Sequence, residues 1–120
     1  MSFLWCTLHV RNLEESIEFY EKFVGLSVNR RIASRQGIEI VFLGNGETQL
    51  ELVGNIDCYD YPISDQISIG FSVDSVENKI MELKEAGIEL YSEIIQPNPH
   101  VKFVIVKDPN EISVQFVEAM

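Results

Sequence analysis

A small-molecule site in this 120-residue chain would draw its polar chemistry from Trp5, Thr7, His9, Glu51, Ser68 and Gln115. Glu51 lies in Thr48–Val53, Thr-Gln-Leu-Glu-Leu-Val, which alternates polar and apolar residues as a half-buried strand does. A lone carboxylate on such a face must find hydrogen-bond donors or take up a proton. Thr7, Ser68 and Gln115 could satisfy it internally, or a cationic or hydrogen-bond-donating ligand could, and both readings stay open. Trp5 either fills core or offers a flat platform for stacking a planar or cationic ligand. His9 is either a solvated strand-end residue or a pocket residue. His100 reads as a loop residue with a minority role at a pocket mouth, and Tyr59 and Tyr61 either line the pocket or pack a seam. No nucleophile–base arrangement, Gly-rich phosphate loop or basic aromatic stripe occurs.

The elements that must position these residues follow from periodicity. Phe3–Val10 places Leu4, Cys6, Leu8 and Val10 on one face and Phe3, Trp5, Thr7 and His9 on the other. A helix follows, with Asn12 as N-cap, Glu15 completing a capping box, and a stripe of Leu13, Ile17, Tyr20 and Val24 widened by Phe19 and Phe23. Gly25 is its natural stop. Strands are expected at about Leu26–Ser34 and Ile38–Leu43, then a Gly44-Asn45-Gly46 turn and the Glu51 strand. After a polar connector, residues 56–65, the order begins again. Ile67, Ile69, Phe71 and Val73 form an apolar face. Asp74 or Ser75 caps a second helix with Val76, Ile80 and Leu83 as its stripe and Gly87 as its stop. Strands follow at about Glu89–Ile94, Lys102–Val106 and Ile112–Val117, separated by a loop at Gln96–His100 and the turn Asp108-Pro109-Asn110.

Sliding the chain 63 positions superposes Val10 on Val73, Leu13 on Val76, Glu14 on Glu77 and Ile17 on Ile80. The expected fold is therefore α+β: two tandem βαβββ modules, residues 1–55 and 66–120, in a single domain spanning 1–120. In each module a helix covers the apolar face of a four-stranded sheet. The polar faces carry Trp5, Thr7 and His9; Gln49, Glu51 and Val53; Ser68, Gly70 and Ser72; and Ser113, Gln115 and Val117. Together they are expected to wall a cup.

Composition sets the outer limits. With 9 basic and 19 acidic residues the net charge is −10, which argues against a nucleic-acid partner, whose phosphates need a basic face. Arg30, Arg31 and Arg35 cluster within six positions and read as charges protecting a sheet edge. Apolar runs such as Ile38–Leu43 are far shorter than the ~20 residues that span a bilayer, so no membrane association is expected. Cys6 and Cys58 give no disulfide framework or metal spacing, and the N-terminal residues carry no export pattern. A cytoplasmic location is the expectation.

The doubled βαβββ unit, the run Val10-Arg-Asn-Leu-Glu-Glu-Ser-Ile-Glu-Phe-Tyr20, the strand end Phe71-Ser-Val-Asp74 and the turn Lys107-Asp-Pro-Asn110 resemble the vicinal oxygen chelate superfamily. That superfamily contains glyoxalase I, extradiol dioxygenases, and fosfomycin- and bleomycin-resistance proteins. The resemblance covers nearly the whole chain. It implies a glyoxalase-like fold with a curved-sheet cup, a homodimer, and, in metal-dependent members, four ligands at the positions matching Trp5, Glu51, Ser68 and Gln115. Glyoxalase I has histidine or glutamine, glutamate, histidine and glutamate there, so only Glu51 keeps its ligand type. Indole nitrogen offers no lone pair. His9, four strand residues on, lies roughly 13 Å from Trp5 at ~3.3 Å per residue and cannot replace it at one metal centre. The resemblance also puts His9 where bacterial glyoxalase I holds a basic residue for the substrate's carboxylate end. The expected function is thus a metal-free, cofactor-free protein of glyoxalase/bleomycin-resistance type that binds or sequesters a small organic molecule. The alternative is a metal-dependent lyase or isomerase of the same superfamily.

Overall fold

The computed structural model describes residues 1–33, 37–55 and 65–120. Tyr59, Tyr61, Arg35 and Cys58 lie outside them. The chain divides into two compact units, Met1–Pro62 and Ile63–Met120.

In the first unit, β1 (Trp5–Val10) is followed by α1 (Leu13–Phe19), β2 (Val28–Ala33), β3 (Ile38–Leu43) and β4 (Gln49–Asn55). The strands form one sheet in the order β1-β4-β3-β2. The β2-β3-β4 meander is antiparallel, and β1 returns to pair with β4 in parallel. Leu8, Val10, Leu50 and Leu52 are buried on the face that takes α1. Asn12 caps that helix as expected, its side chain accepting from the Glu15 N–H at 3.0 Å. Helix and sheet approach closely at Gly54, where an added Cβ would stand 2.9 Å from the Leu13 Cβ.

The helix does not continue as α-helix to Gly25. Residues Tyr20–Val24 form a π turn, closed by the Gly25 N–H donating to the Tyr20 carbonyl five residues back. The extra residue in the turn re-phases the helix, so Phe19, Tyr20 and Phe23 are all buried while Val24 is only half-buried. Gly25 then ends it in the left-handed region, at φ 82°.

The second unit repeats the plan: β5 (Ser68–Ser72), α2 (Val76–Glu85), β6 (Ile95–Asn98), β7 (Val101–Lys107) and β8 (Ser113–Ala119), in the order β5-β8-β7-β6. Of the two candidate caps for α2, Ser75 is the one used, accepting from the Asn78 N–H at 3.1 Å. Glu118 of β8 accepts the Val76 N–H at 2.8 Å, adding a negative charge at the positive end of the helix. Val76 and Leu83 are fully buried and Ile80 half-buried, as the stripe predicts.

The sixth strand is displaced from its expected place. Glu89–Ile94 is not strand. The edge strand instead occupies Ile95–Asn98, overlapping the segment read as a loop, and includes Pro97. A proline lacks the N–H a central strand needs but is tolerated at a sheet edge, and β6 is that edge. His100 sits in the turn between β6 and β7, its N–H donating to the Asn98 side chain at 2.8 Å. The Asp108 turn forms as expected: the buried carboxylate (4 % exposed) accepts from the Asn110 and Ile112 N–H groups at 2.7 and 2.9 Å.

Candidate functional site

Alternation along parallel-paired strands decides what each open face presents. In the first unit the register Trp5↔Gln49, Thr7↔Glu51 and His9↔Val53 puts all six on the face away from α1. Trp5 is 48 % exposed, and Glu51 and Val53 are half-buried. The Thr7 hydroxyl donates to the Glu51 carboxylate, the internal one of the two kinds of partner left open for that acid. Gln49 donates from its side chain to the Gly44 carbonyl at 3.4 Å.

Two contributors to this face escaped the sequence reading. Phe42 pairs with Glu51, so it points to the open side, where it is 4 % exposed and meets the Trp5 ring edge-on at 5.6 Å between centroids. Arg30 pairs with Phe42 from β2 and lays its guanidinium over that ring at 4.9 Å. From Ile40 to Leu43 the strand is apolar at every position, so period-two alternation could not say which of these residues face outward. Arg31 lies on the edge strand β2. It turns to the helix side and pairs with Glu39 and, at 2.6 Å, with Glu14. The hydrogen bonds it donates to Glu14 and Glu39 raise its already high pKa further.

The second unit presents Ser68↔Ser113, Gly70↔Gln115 and Ser72↔Val117. Gln115 donates to the Ser68 hydroxyl at 3.3 Å, so these two candidates are partners. Lys107 donates to Ser113 at 3.0 Å and lies 4.2 Å from the Tyr91 ring centre. A groove of about 460 Å³ runs beside Gly70, Ser72, Asp74 and Val117, within the range of small-ligand sites. Each unit therefore brings together its own candidates: Trp5, Thr7, His9 and Glu51 in one, Ser68 and Gln115 in the other.

The donor set can be tested against a divalent metal. Glu51 supplies a carboxylate, already bonded by Thr7. Trp5 supplies none, since its indole nitrogen only donates. Ser68 offers a neutral hydroxyl, which accepts from the Gln115 Nε2, and Gln115 a neutral amide oxygen. Hard or borderline divalent ions are held by several carboxylate or imidazole groups, and no cluster of three or more His, Cys, Asp or Glu side chains with metal-site geometry occurs among the described residues. These residues do not fit a tightly held ion. Among the described residues no helix is long and apolar enough to cross a membrane.

Comparison with known proteins agrees with the fold. The model of the Glyoxalase/Bleomycin resistance protein/Dioxygenase superfamily matches residues 2–116. A lactoylglutathione lyase of Neisseria meningitidis is 30% identical over 126 residues, covering 98% of this chain and 91% of that protein. The human mitochondrial methylmalonyl-CoA epimerase is 28% identical, covering 91% of this chain and 67% of its own length. Among solved structures, the trypanothione-dependent glyoxalase I of Leishmania major superposes with a TM-score of 0.83 at 23% identity, over 98% of this chain and 86% of that one. Two βαβββ units with this strand order, and a family match running almost end to end, place the chain in the Glyoxalase/Bleomycin resistance protein/Dioxygenase superfamily.

Proposed function

We propose that this protein binds or sequesters a small organic molecule on the open faces of its sheets, without a metal. The observation that carries the reading is the pairing of the candidate residues. Thr7 holds Glu51 beside the exposed Trp5 on one unit's face and Gln115 holds Ser68 on the other's, so each face offers a hydrogen-bonding surface rather than a set of free ligands for a cation. An aromatic platform with a few oriented polar groups is what small-molecule recognition uses. Trp5 would stack the ligand, and Glu51 would take a donor from it. Thr7 and His9 would complete the polar contacts on that face, and Ser68 and Gln115 would supply those of the second unit's face.

The test is metal analysis joined to a thermal-shift screen. Protein purified without chelator should carry no stoichiometric metal, and Ni²⁺, Zn²⁺ and Mn²⁺ should leave its melting temperature unchanged. A bound organic ligand at a 100-fold excess over Kd should add about 2.7 kcal/mol. Stoichiometric metal that disappears in Glu51→Ala would overturn the reading. It would favour instead a lyase or isomerase, the reading that the 30% identity to a lactoylglutathione lyase supports.

A further inference from the structure

On the open face of the first sheet, four side chains stand in one row across all its strands: Thr7 on β1, Glu51 on β4, Phe42 on β3 and Arg30 on β2. The row is hydroxyl, carboxylate, ring, guanidinium. Its two charges do not touch. They are held apart by the Phe42 strand, about 10 Å backbone to backbone at ~4.8 Å per strand. We propose that Arg30 is an anion subsite, and that the ligand of this face is a planar apolar molecule with a carboxylate at one end and a hydrogen-bond donor at the other. The proposal rests on the binding function inferred above and specifies its ligand class.

Several independent observations support it. The register of β2 slips between Val28 and Arg30, so Asn29 is passed over and Arg30 takes the place opposite Phe42. A bulge of this kind re-aims a side chain, here turning a cation onto the open face. Arg30 and Arg31 are neighbours in a chain of net charge −10, yet their treatment differs. Arg31 is bonded to two carboxylates on the helix side. Among the described residues no carboxylate bonds Arg30, whose partner is the ring beneath it. A guanidinium lying on a ring keeps its N–H groups free at the rim, in the fork geometry that matches a carboxylate. Beside it, Phe42 and the exposed Trp5 supply the apolar surface for the ligand body, with Ile32 and Ile40 on the same face. Glu51 then repels the anionic end and accepts from the donor end, so the row gives the ligand a direction.

The test uses three probes with one planar body: 6-hydroxy-2-naphthoate, its methyl ester, and 2-naphthoate, titrated by calorimetry. The parent chain should bind the hydroxy acid about tenfold more tightly than the ester, the loss expected for one charge-assisted contact at a half-open site. It should also prefer the hydroxy acid to 2-naphthoate, and the acid–ester ratio should fall as salt rises. Arg30→Gln should bring that ratio to near one while ester binding persists. Arg31→Gln makes the same charge change on the other face and should leave the ratio unaltered. Equal acid and ester affinity in the parent, or a ratio unchanged in Arg30→Gln, overturns the anion subsite and leaves binding at this face intact. If neither acid nor ester binds at millimolar concentration, the face is not a binding surface, and the proposed function fails with the subsite.

Discussion

Gly54→Ala offers the sharpest test of how the Glu51 strand is held. The position lies on β4, three residues beyond Glu51, on the face against α1. A new Cβ there would sit 2.9 Å from the Leu13 Cβ, 3.4 Å from its Cγ and 3.5 Å from its Cδ1. The first of these distances is set by two backbones, not by a rotamer, so relief requires α1 to lift from the sheet. Overpacking of this kind costs about 1–3 kcal/mol. The substitution also stiffens the unfolded chain, which returns roughly 0.4–1 kcal/mol. A net destabilisation of about 1–2 kcal/mol remains. At roughly 3–5 °C per kcal/mol for a chain of this size, thermal denaturation followed by circular dichroism should show a fall of about 3–10 °C. Gly46→Ala is the control, since no atom stands within 4 Å of its added Cβ. Leu13→Ala in the Gly54→Ala background should not restore the loss, because the Cβ contact survives it. Either a neutral Gly54→Ala or a full rescue by Leu13→Ala would refute a backbone-imposed contact.

Other outcomes follow from the second unit and from assembly. Asp108→Ala leaves the Asn110 and Ile112 N–H groups without their acceptor and should cost about 1–3 kcal/mol in urea denaturation. The hydrogen bond from Lys102 holds Glu77 below the ordinary carboxylate range, and the same bond raises Lys102. The Glu77 contribution is therefore present above about pH 4.3 and lost as pH falls through its lowered folded value. Glu77→Gln should accordingly flatten the acid limb of a stability–pH curve measured by urea melts. A steeper acid limb would contradict the pairing. If the two units form one domain that pairs with a second copy, gel filtration at micromolar concentration should give a dimer melting in a single transition. A monomer would dismiss the pairing.

Much of this was legible in the sequence because it is written locally. Asn12 and Ser75 cap helices through their own side chains, Gly25 and Gly87 end them at positive φ, and the 63-residue repeat declares the second unit from the first. What escaped depends on position in the sheet. Pro97 looks like a loop residue until β6 is known to be an edge. The π turn at Tyr20 leaves no mark on hydrophobic periodicity when Phe19, Tyr20 and Phe23 are all apolar. Arg30 reads as an edge charge beside Arg31, and only the slip at Asn29 decides that Arg30, not Arg31, takes the open face. Residue types at the open face could be listed in advance, whereas the bonds between Thr7 and Glu51 and between Gln115 and Ser68 required the registers.

The parallel return of β1 has a kinetic consequence. The meander β2-β3-β4 can form from neighbouring segments, but the Thr7–Glu51 bond closes a loop of 44 residues. Such contacts bear their loop-closure entropy before any reward, so β1 should dock after the meander is in place. As an edge strand it is also the natural element to open first once the fold is complete. Trp5 and Thr7 would leave together when it does, stripping Glu51 of its donor and the face of its platform. A ligand gripping Trp5 and Glu51 at once would bridge the last strand to dock and the strand that waits for it. Its binding would then register as slowed amide exchange along the whole of β1, beyond the residues it touches.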